Sequence, residues 1–240
     1  MARAEAKTRK GTSGWFSWKT VRRRIIQLGV IFILLPPVLT VMYSVVPPVS
    51  TLMLARYVQL LWVDRQWVSL EDISPNLIKA VIASEDGGFC FNHGVDWGAL
   101  KNQVEALRDG ERPRGASTIT MQTAKNLFLW SGRSYIRKGM EIPLALMLDA
   151  VLTKKRILEI YLNIAEWGEG IFGAEAAAHA WFGKPAKGLS QTQAARLATA
   201  LPNPRGRNPA NPSAGHRRLS SKNIARVRSA GPIFECVLGK

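Results

Sequence analysis

Two adjacent carboxylates near the middle of this 240-residue chain have the types and spacing for proton transfer. Glu85 falls four residues after Val81 and eight after Leu77, so on a helix it continues the apolar stripe Leu77, Ile78, Val81, Ile82. Asp86 follows at once, and Gly87-Gly88 then breaks the chain. Partial burial disfavours the charged form of a carboxyl group and raises its pKa toward neutrality, the condition for a general base. A solvated helix end is the plainer alternative for the pair, and an ordinary N-cap is the plainer alternative for Asp96.

Three further clusters carry anion-binding chemistry. In Gly115-Ala116-Ser117-Thr118-Ile119-Thr120-Met121-Gln122, hydroxyl groups crowd a glycine-led helix start, with Lys125 and Asn126 about two turns on. Unpaired N–H groups and the helix dipole favour a phosphate or sugar there; a simple Ser117 cap with buried threonines is the alternative. Arg137, Lys138 and Glu141 form the next cluster, and Glu141 shares a face with Leu144, Leu148 and Val151, which turns it inward. Either Arg137 and Glu141 make a local i, i+4 pair, or a carboxylate flanked by cations sits at a pyrophosphate. In the last cluster Lys154 lines up with Ile157, Tyr161 and Ile164 and so points to the packed side, whereas Lys155 and Arg156 are expected to face solvent.

The elements that must position these groups are mostly helical. Ser74-Pro75 starts a helix carrying Glu85. Asp96 caps a second helix, ending at Gly110, whose Leu100, Val104 and Leu107 share a face. The loop Glu111–Gly115 leads to a helix from Ser117 to Leu127, then to a long one from Tyr135 to Leu152 with a kink expected at Pro143. Thr153 caps Lys154–Ala165, Ile171–Phe182 reads as an Ala-rich helix, and Ser190 with Gln193 forms a capping box for a helix halted by Pro202. Residues 203–213 read as loop, and a basic helix spans about 214–229. One short strand is predicted around Trp62–Val68. The reading is an all-α fold.

From Ile25 to Ala55 no side chain is charged, and Ile25–Val46 is long and apolar enough to span a bilayer as a helix. Pro36-Pro37 lies inside it, which a membrane helix tolerates better than a soluble one. Eight basic residues and one acid, Glu5, precede it, so the flank is expected in the cytoplasm and the rest across the membrane. A cleaved signal peptide is the alternative, but the segment is long for one and no clear small-x-small site follows. The expected organisation is a cytoplasmic basic tail over 1–24, an anchor over 25–46, a catalytic domain over 47–213, and a basic helix and tail over 214–240.

The chain holds 33 Lys and Arg against 17 Asp and Glu, a formal charge of +16. Residues 47–240 keep 25 basic and 16 acidic residues, an excess of nine that suits an anionic lipid better than a nucleic acid on that side of a membrane. Cys90 and Cys236 are too few for a disulfide-stapled miniprotein and are expected as two free thiols. His93, His179 and His216 are in no metal-ligand spacing.

Taken together and in order, these segments resemble the five motifs of glycosyltransferase family 51. The chain most resembles its monofunctional peptidoglycan transglycosylases, related to the glycosyltransferase modules of class A penicillin-binding proteins. The likeness covers roughly 50–205. It rests on Glu85-Asp86-Gly87-Gly88-Phe89 with Gly94-x-Asp96, on 115–126, on Arg137-Lys138-x-x-Glu141, on Lys154–Asn163, and on Gly170–Gly183. One departure is Asn92, at the place where the family usually has His; an amide donates a hydrogen bond but does not titrate.

The resemblance implies a lysozyme-like helical domain behind one transmembrane helix, polymerising lipid II into β-1,4-linked glycan strands with inversion at MurNAc C1 and release of undecaprenyl pyrophosphate. It implies Glu85, Asp86 and Glu141 as catalytic residues, Glu85 being the general base. Ser117, Thr118, Thr120, Gln122, Lys125, Asn126, Arg137, Lys138 and Lys154 would bind substrate. A divalent metal (Mg or Mn) at the pyrophosphate is possible, with Glu141 a possible ligand. The implied setting is the bacterial inner membrane, single-pass, with the catalytic domain periplasmic. The partners are the lipid-linked glycan and cell-wall proteins supplying transpeptidation, for which this sequence carries no module. Two rivals remain: a membrane-anchored muramidase, for which the cations have no evident use, and a non-catalytic basic scaffold.

Overall fold

The computed structural model describes residues 18–111, 115, 117–132 and 134–239. Most of the basic tail, the loop residues 112–114 and Ala116 of the second motif lie outside them. The chain divides into two compact units, one up to Leu39 and one from Thr40 onward.

The first unit holds most of α1, Trp18–Met42, which runs through Pro36 and Pro37 as one helix of 25 residues. It starts earlier and ends earlier than the expected 25–46 span. At 1.5 Å per residue it is about 37 Å long, enough to cross a hydrocarbon core. Its most apolar 18 residues have a mean hydropathy of 2.4, and among the described residues it is the one helix long and apolar enough to cross a membrane.

The second unit is built from α2 (Thr51–Val58), α3 (Pro75–Glu85), α4 (Trp97–Arg108), α5 (Ile119–Phe128), α6 (Tyr135–Val151), α7 (Lys154–Ile164), α8 (Ala174–Phe182), α9 (Gln191–Ala200), α10 (Ala214–Ser229) and α11 (Glu235–Leu238). Their sequence signals act where expected: Ser74, Asp96, Thr153 and Ser190 all cap helices, the last in a complete capping box. The core is two helix layers. In one, α3 buries Leu77, Ile78, Val81 and Ile82 against α9 and α10, and Asn223 of α10 donates to the Ala80 carbonyl at 2.9 Å. In the other, α5 packs on α6 and α7, whose Ile157, Tyr161 and Ile164 are buried as the stripe requires.

Three short strands pack on α8. β1 (Asp64–Arg65) falls inside the predicted strand, β2 (Glu166–Gly168) lies in the gap between two predicted helices, and β3 (Ile171–Phe172) occupies ground read as helix. β3 lies between the others, parallel to β1 and antiparallel to β2. Gly170 and Gly173 have φ of 74° and 88°, a left-handed backbone that a helix cannot use, so α8 begins only at Ala174. Asn163, at the end of α7, pairs its amide with both the N–H and the carbonyl of Val68 and so fixes the strand region to the helix.

The face that Leu100, Val104 and Leu107 share on α4 is left uncovered: no residue of α4 is buried, and Val104 is 60% exposed. Two expectations need correction. Arg156 does not face solvent. Its guanidinium pairs with Glu159, donates to the carbonyls of Tyr43 (2.8 Å) and Val46 (2.9 Å), and lies over Trp67. It therefore straps the stretch before α2 onto the body. Cys90 and Cys236 are not free thiols but a disulfide, 146 residues apart in sequence, because the C-terminal segment folds back beside the turn after α3.

That turn depends on Gly94, whose φ is 80° and whose added Cβ would approach the Ala145 carbonyl oxygen of α6 at 2.7 Å. Gly94→Ala is expected to lower stability by about 2 kcal/mol or more, combining backbone strain with a clash against main chain. Denaturant titration of the two proteins measures it.

Candidate active site

Glu85 ends α3, and Asp86 is its C-cap, with an extended backbone that turns the chain out of the helix. Gln122 of α5 donates to Glu85 Oε2 at 3.1 Å, and Ser84 to Oε1 at 3.3 Å. Burial pushes the Glu85 carboxyl up from the ordinary glutamate range, a rise its hydrogen bonds and the charges of Lys125 and Arg207 only partly oppose. Asp86 is buried too, and burial likewise raises its pKa against bonds from the Ile119 N–H at 3.0 Å and the Asn92 amide at 3.0 and 3.2 Å.

Gln122 is itself held. The Tyr161 hydroxyl donates to Gln122 Oε1 at 3.0 Å, which leaves the amide nitrogen for Glu85. Tyr161 is fully buried, and its pKa stands well above the usual phenol value because of that burial and the nearby carboxylates, so it stays a donor.

The cationic side of the site comes from α5 and α6. Glu141 is 2% exposed and bound on both oxygens, by Arg137 and by Lys138 Nζ, the latter at 2.7 Å. Lys138 also donates to Ser117 Oγ at 2.6 Å. Lys125 is largely buried and feels the charges of Glu141, Arg137, Lys138 and Glu85; burial lowers its pKa from the ordinary lysine value. Three cations around one carboxylate leave a local positive excess in a low-dielectric place, which an anion would relieve.

Lys154 approaches from α7. Its ammonium donates to Asp149 Oδ1 and to the Asn92 carbonyl, each at 2.6 Å, and lies 5.0 Å over the Phe89 ring. Asn92 therefore bridges Asp86 and Lys154, in the place where a titrating His was expected from the family pattern. His93 is an exposed neighbour whose ring lies 3.7 Å from Asp149.

The expected site residues thus divide. Glu85, Asp86, Gln122, Lys125, Arg137, Lys138, Glu141 and Lys154 form linked polar groups. Ser117 does not cap α5; Thr118 does, one residue later, and the Thr118 hydroxyl also donates to the Gly94 carbonyl at 2.6 Å. Thr120 is buried with an unpartnered hydroxyl, and the Asn126 carbonyl accepts from Thr51 at 3.1 Å. Asp149 and Tyr161 were missed as polar partners. Asp149 falls on the stripe Glu141, Ala145, Asp149, a signal that was present. Arg207 carried no such signal, since it acts on Glu85 from a loop.

Both Glu141 oxygens are bound by cations, and among the described residues no group of three or more His, Cys, Asp or Glu gathers around it.

A family model described as Transglycosylase matches residues 53–227, which include every group just placed. The chain belongs to the transglycosylase family. Within it, the chain is 52% identical over 223 residues to the biosynthetic peptidoglycan transglycosylase of Agrobacterium fabrum, covering 92% of this chain and 99% of that one. It is also 52% identical to the proteins of that name from Brucella suis, over 225 residues (93% and 99%), and from Mesorhizobium japonicum, over 218 residues (90% and 92%). The transglycosylase match ends before the strap that carries Cys236.

Proposed function

We propose that this protein is a peptidoglycan glycosyltransferase that polymerises lipid II, using Glu85 as general base and the Lys125, Arg137, Lys138 and Lys154 cations at the donor's diphosphate. One observation carries the reading: α5 presents Gln122 to Glu85 at 3.1 Å and carries Lys125 one turn further on, so a desolvated base and a cation sit at one helix face.

In this reading the GlcNAc 4-hydroxyl of the acceptor attacks C1 of the donor MurNAc. Glu85 takes the hydroxyl proton, the new C1–O4 bond forms, and the bond from C1 to the diphosphate oxygen breaks with inversion. The electron pair leaves on undecaprenyl pyrophosphate. Charge on the leaving oxygen grows toward the transition state, so fixed cations stabilise that state more than the ground state. Glu141 acts through Arg137 and Lys138, holding them in place rather than carrying a proton. In this reading these side chains neutralise the diphosphate. Asp86, buried and bonded to Asn92, sets the end of α3 and the turn after it.

Three features support a membrane setting with the catalytic body outside the cytoplasm. They are the spanning helix with its basic flank, the exposed apolar side chains of α2 and its turn (Leu54, Val58 and Leu60), and a disulfide, which persists in oxidising compartments. Transpeptidation would come from partner proteins.

The test is incubation of the full-length protein with labelled lipid II. Ladders of glycan strands are the expected product; labelled substrate left unpolymerised at high enzyme would overturn the assignment. Tyr161→Phe, which frees Gln122, is expected to lower kcat about three- to tenfold, the scale of one ordinary hydrogen bond, with KM little moved. Initial rates across lipid II concentration separate the two constants.

A further inference from the structure

The segment after α10 lies beyond the family match, yet it is tied into the catalytic turn. Phe234 and Val237 are buried, the Phe234 ring lies 6.0 Å from Lys79 Nζ of α3, and α11 packs on α7. Its Cys236 is bonded to Cys90, and both cysteines are partly exposed.

Cys90 sits between two residues that the site uses. Phe89, on one side, is fully buried under the Lys154 ammonium. Two residues on, Asn92 binds Asp86 with its amide and Lys154 with its carbonyl. Between these two residues the turn is closed by main-chain bonds, from Phe89 N–H to Asp86 O and from Phe91 and Asn92 N–H to Gly88 O, and its far end is held where the Thr118 hydroxyl donates to the Gly94 carbonyl at 2.6 Å. Without the covalent tie these short-range bonds and the glycines at 87 and 88 would let the stretch between Asp86 and Gly94 shift while α3 stays folded.

We propose that the Cys90–Cys236 disulfide is a positioning clamp that holds Asn92 between Asp86 and Lys154, so that full turnover requires the clamp to be closed. The proposal rests on the reading of Glu85 and its surroundings as the site of reaction. A displacement of the order of an ångström in a catalytic constellation costs up to about a hundredfold in rate, so loss of the clamp is expected to lower kcat roughly tenfold with KM changed by less than about twofold.

The experiment uses full-length enzyme and labelled lipid II. Dithiothreitol donates two electrons and two protons, the S–S bond breaks to two thiols, and the reagent closes to its cyclic disulfide. Reduced enzyme, checked by circular dichroism to be folded at the assay temperature, should lose kcat, and reoxidation should restore it. The Cys90→Ser, Cys236→Ser and double variants should share that lower kcat and ignore reductant. In Asn92→Ala, whose own kcat is lowered, reduction should add little, since the clamp acts through that side chain. A staple of purely structural worth would lower Tm and leave kcat unmoved. Reduced, folded enzyme at the oxidised rate, or full additivity of reduction with Asn92→Ala, would overturn the clamp. A Glu85→Gln protein that polymerises normally would instead overturn the site reading.

Discussion

Glu85→Gln is expected to lower glycan polymerisation by about 10²–10⁴-fold, the usual contribution of a positioned general base. The same substitution should raise thermal stability at neutral pH. Burial lifts the Glu85 pKa in the folded protein above its unfolded value. Stability from such a group is fully present below the unfolded pKa and is lost as pH rises through the folded one. The neutral amide removes that cost, while its oxygen still accepts from Gln122. Inactivity together with a higher Tm in calorimetry is therefore the signature of a base held in place at a price in stability. An inactive variant with a lower Tm would point to a structural role for Glu85.

Lys154→Ala is expected to depress kcat by about ten- to a hundredfold, and Lys154→Arg should restore little of it. The ammonium fits among Asp149, the Asn92 carbonyl and the Phe89 ring, with hydrogen bonds of 2.6 Å to the first two. A planar guanidinium has a longer reach and a fixed fork, and it does not reproduce a compact point charge there. On the proposed reading the Ala variant removes a cation from the diphosphate and also frees Asn92, so kcat should fall by more than KM rises. Steady-state kinetics on lipid II separate the two. Equal rates for Lys154→Ala and the unmodified protein would remove this residue from the donor site.

The helices that build the site were legible because their signals are local. Caps at Ser74, Asp96, Thr153 and Ser190, and apolar stripes on α3 and α7, name both the ends and the inward faces of those elements. The inward turn of Glu141 and Lys154 followed from the same periodicity. On α4 periodicity marks an apolar face without saying what covers it, and none of the described residues buries it. The strands β2 and β3 are three and two residues long, too short for a period to register, and β3 takes its second partner, β1, from about a hundred residues away in sequence. The pairing of Cys90 with Cys236 and the burial of Arg156 under the stretch before α2 are likewise products of tertiary return paths. At the site itself, residue types announced a base and an anion pocket. The links that orient them, Tyr161 to Gln122, Asn92 to Asp86 and Asp149 to Lys154, depend on side chains from different elements meeting.

The most direct measurement is the pH dependence of kcat for the full-length enzyme on labelled lipid II, taken beside the residual rate of Glu85→Gln. A base whose pKa is raised by burial must be deprotonated to work, so the rate of the unmodified protein should fall on acidification with a midpoint above the ordinary glutamate range. That limb should be missing from the residual rate of the Gln variant. The same acid limb persisting unchanged in Glu85→Gln would show that another group takes the proton.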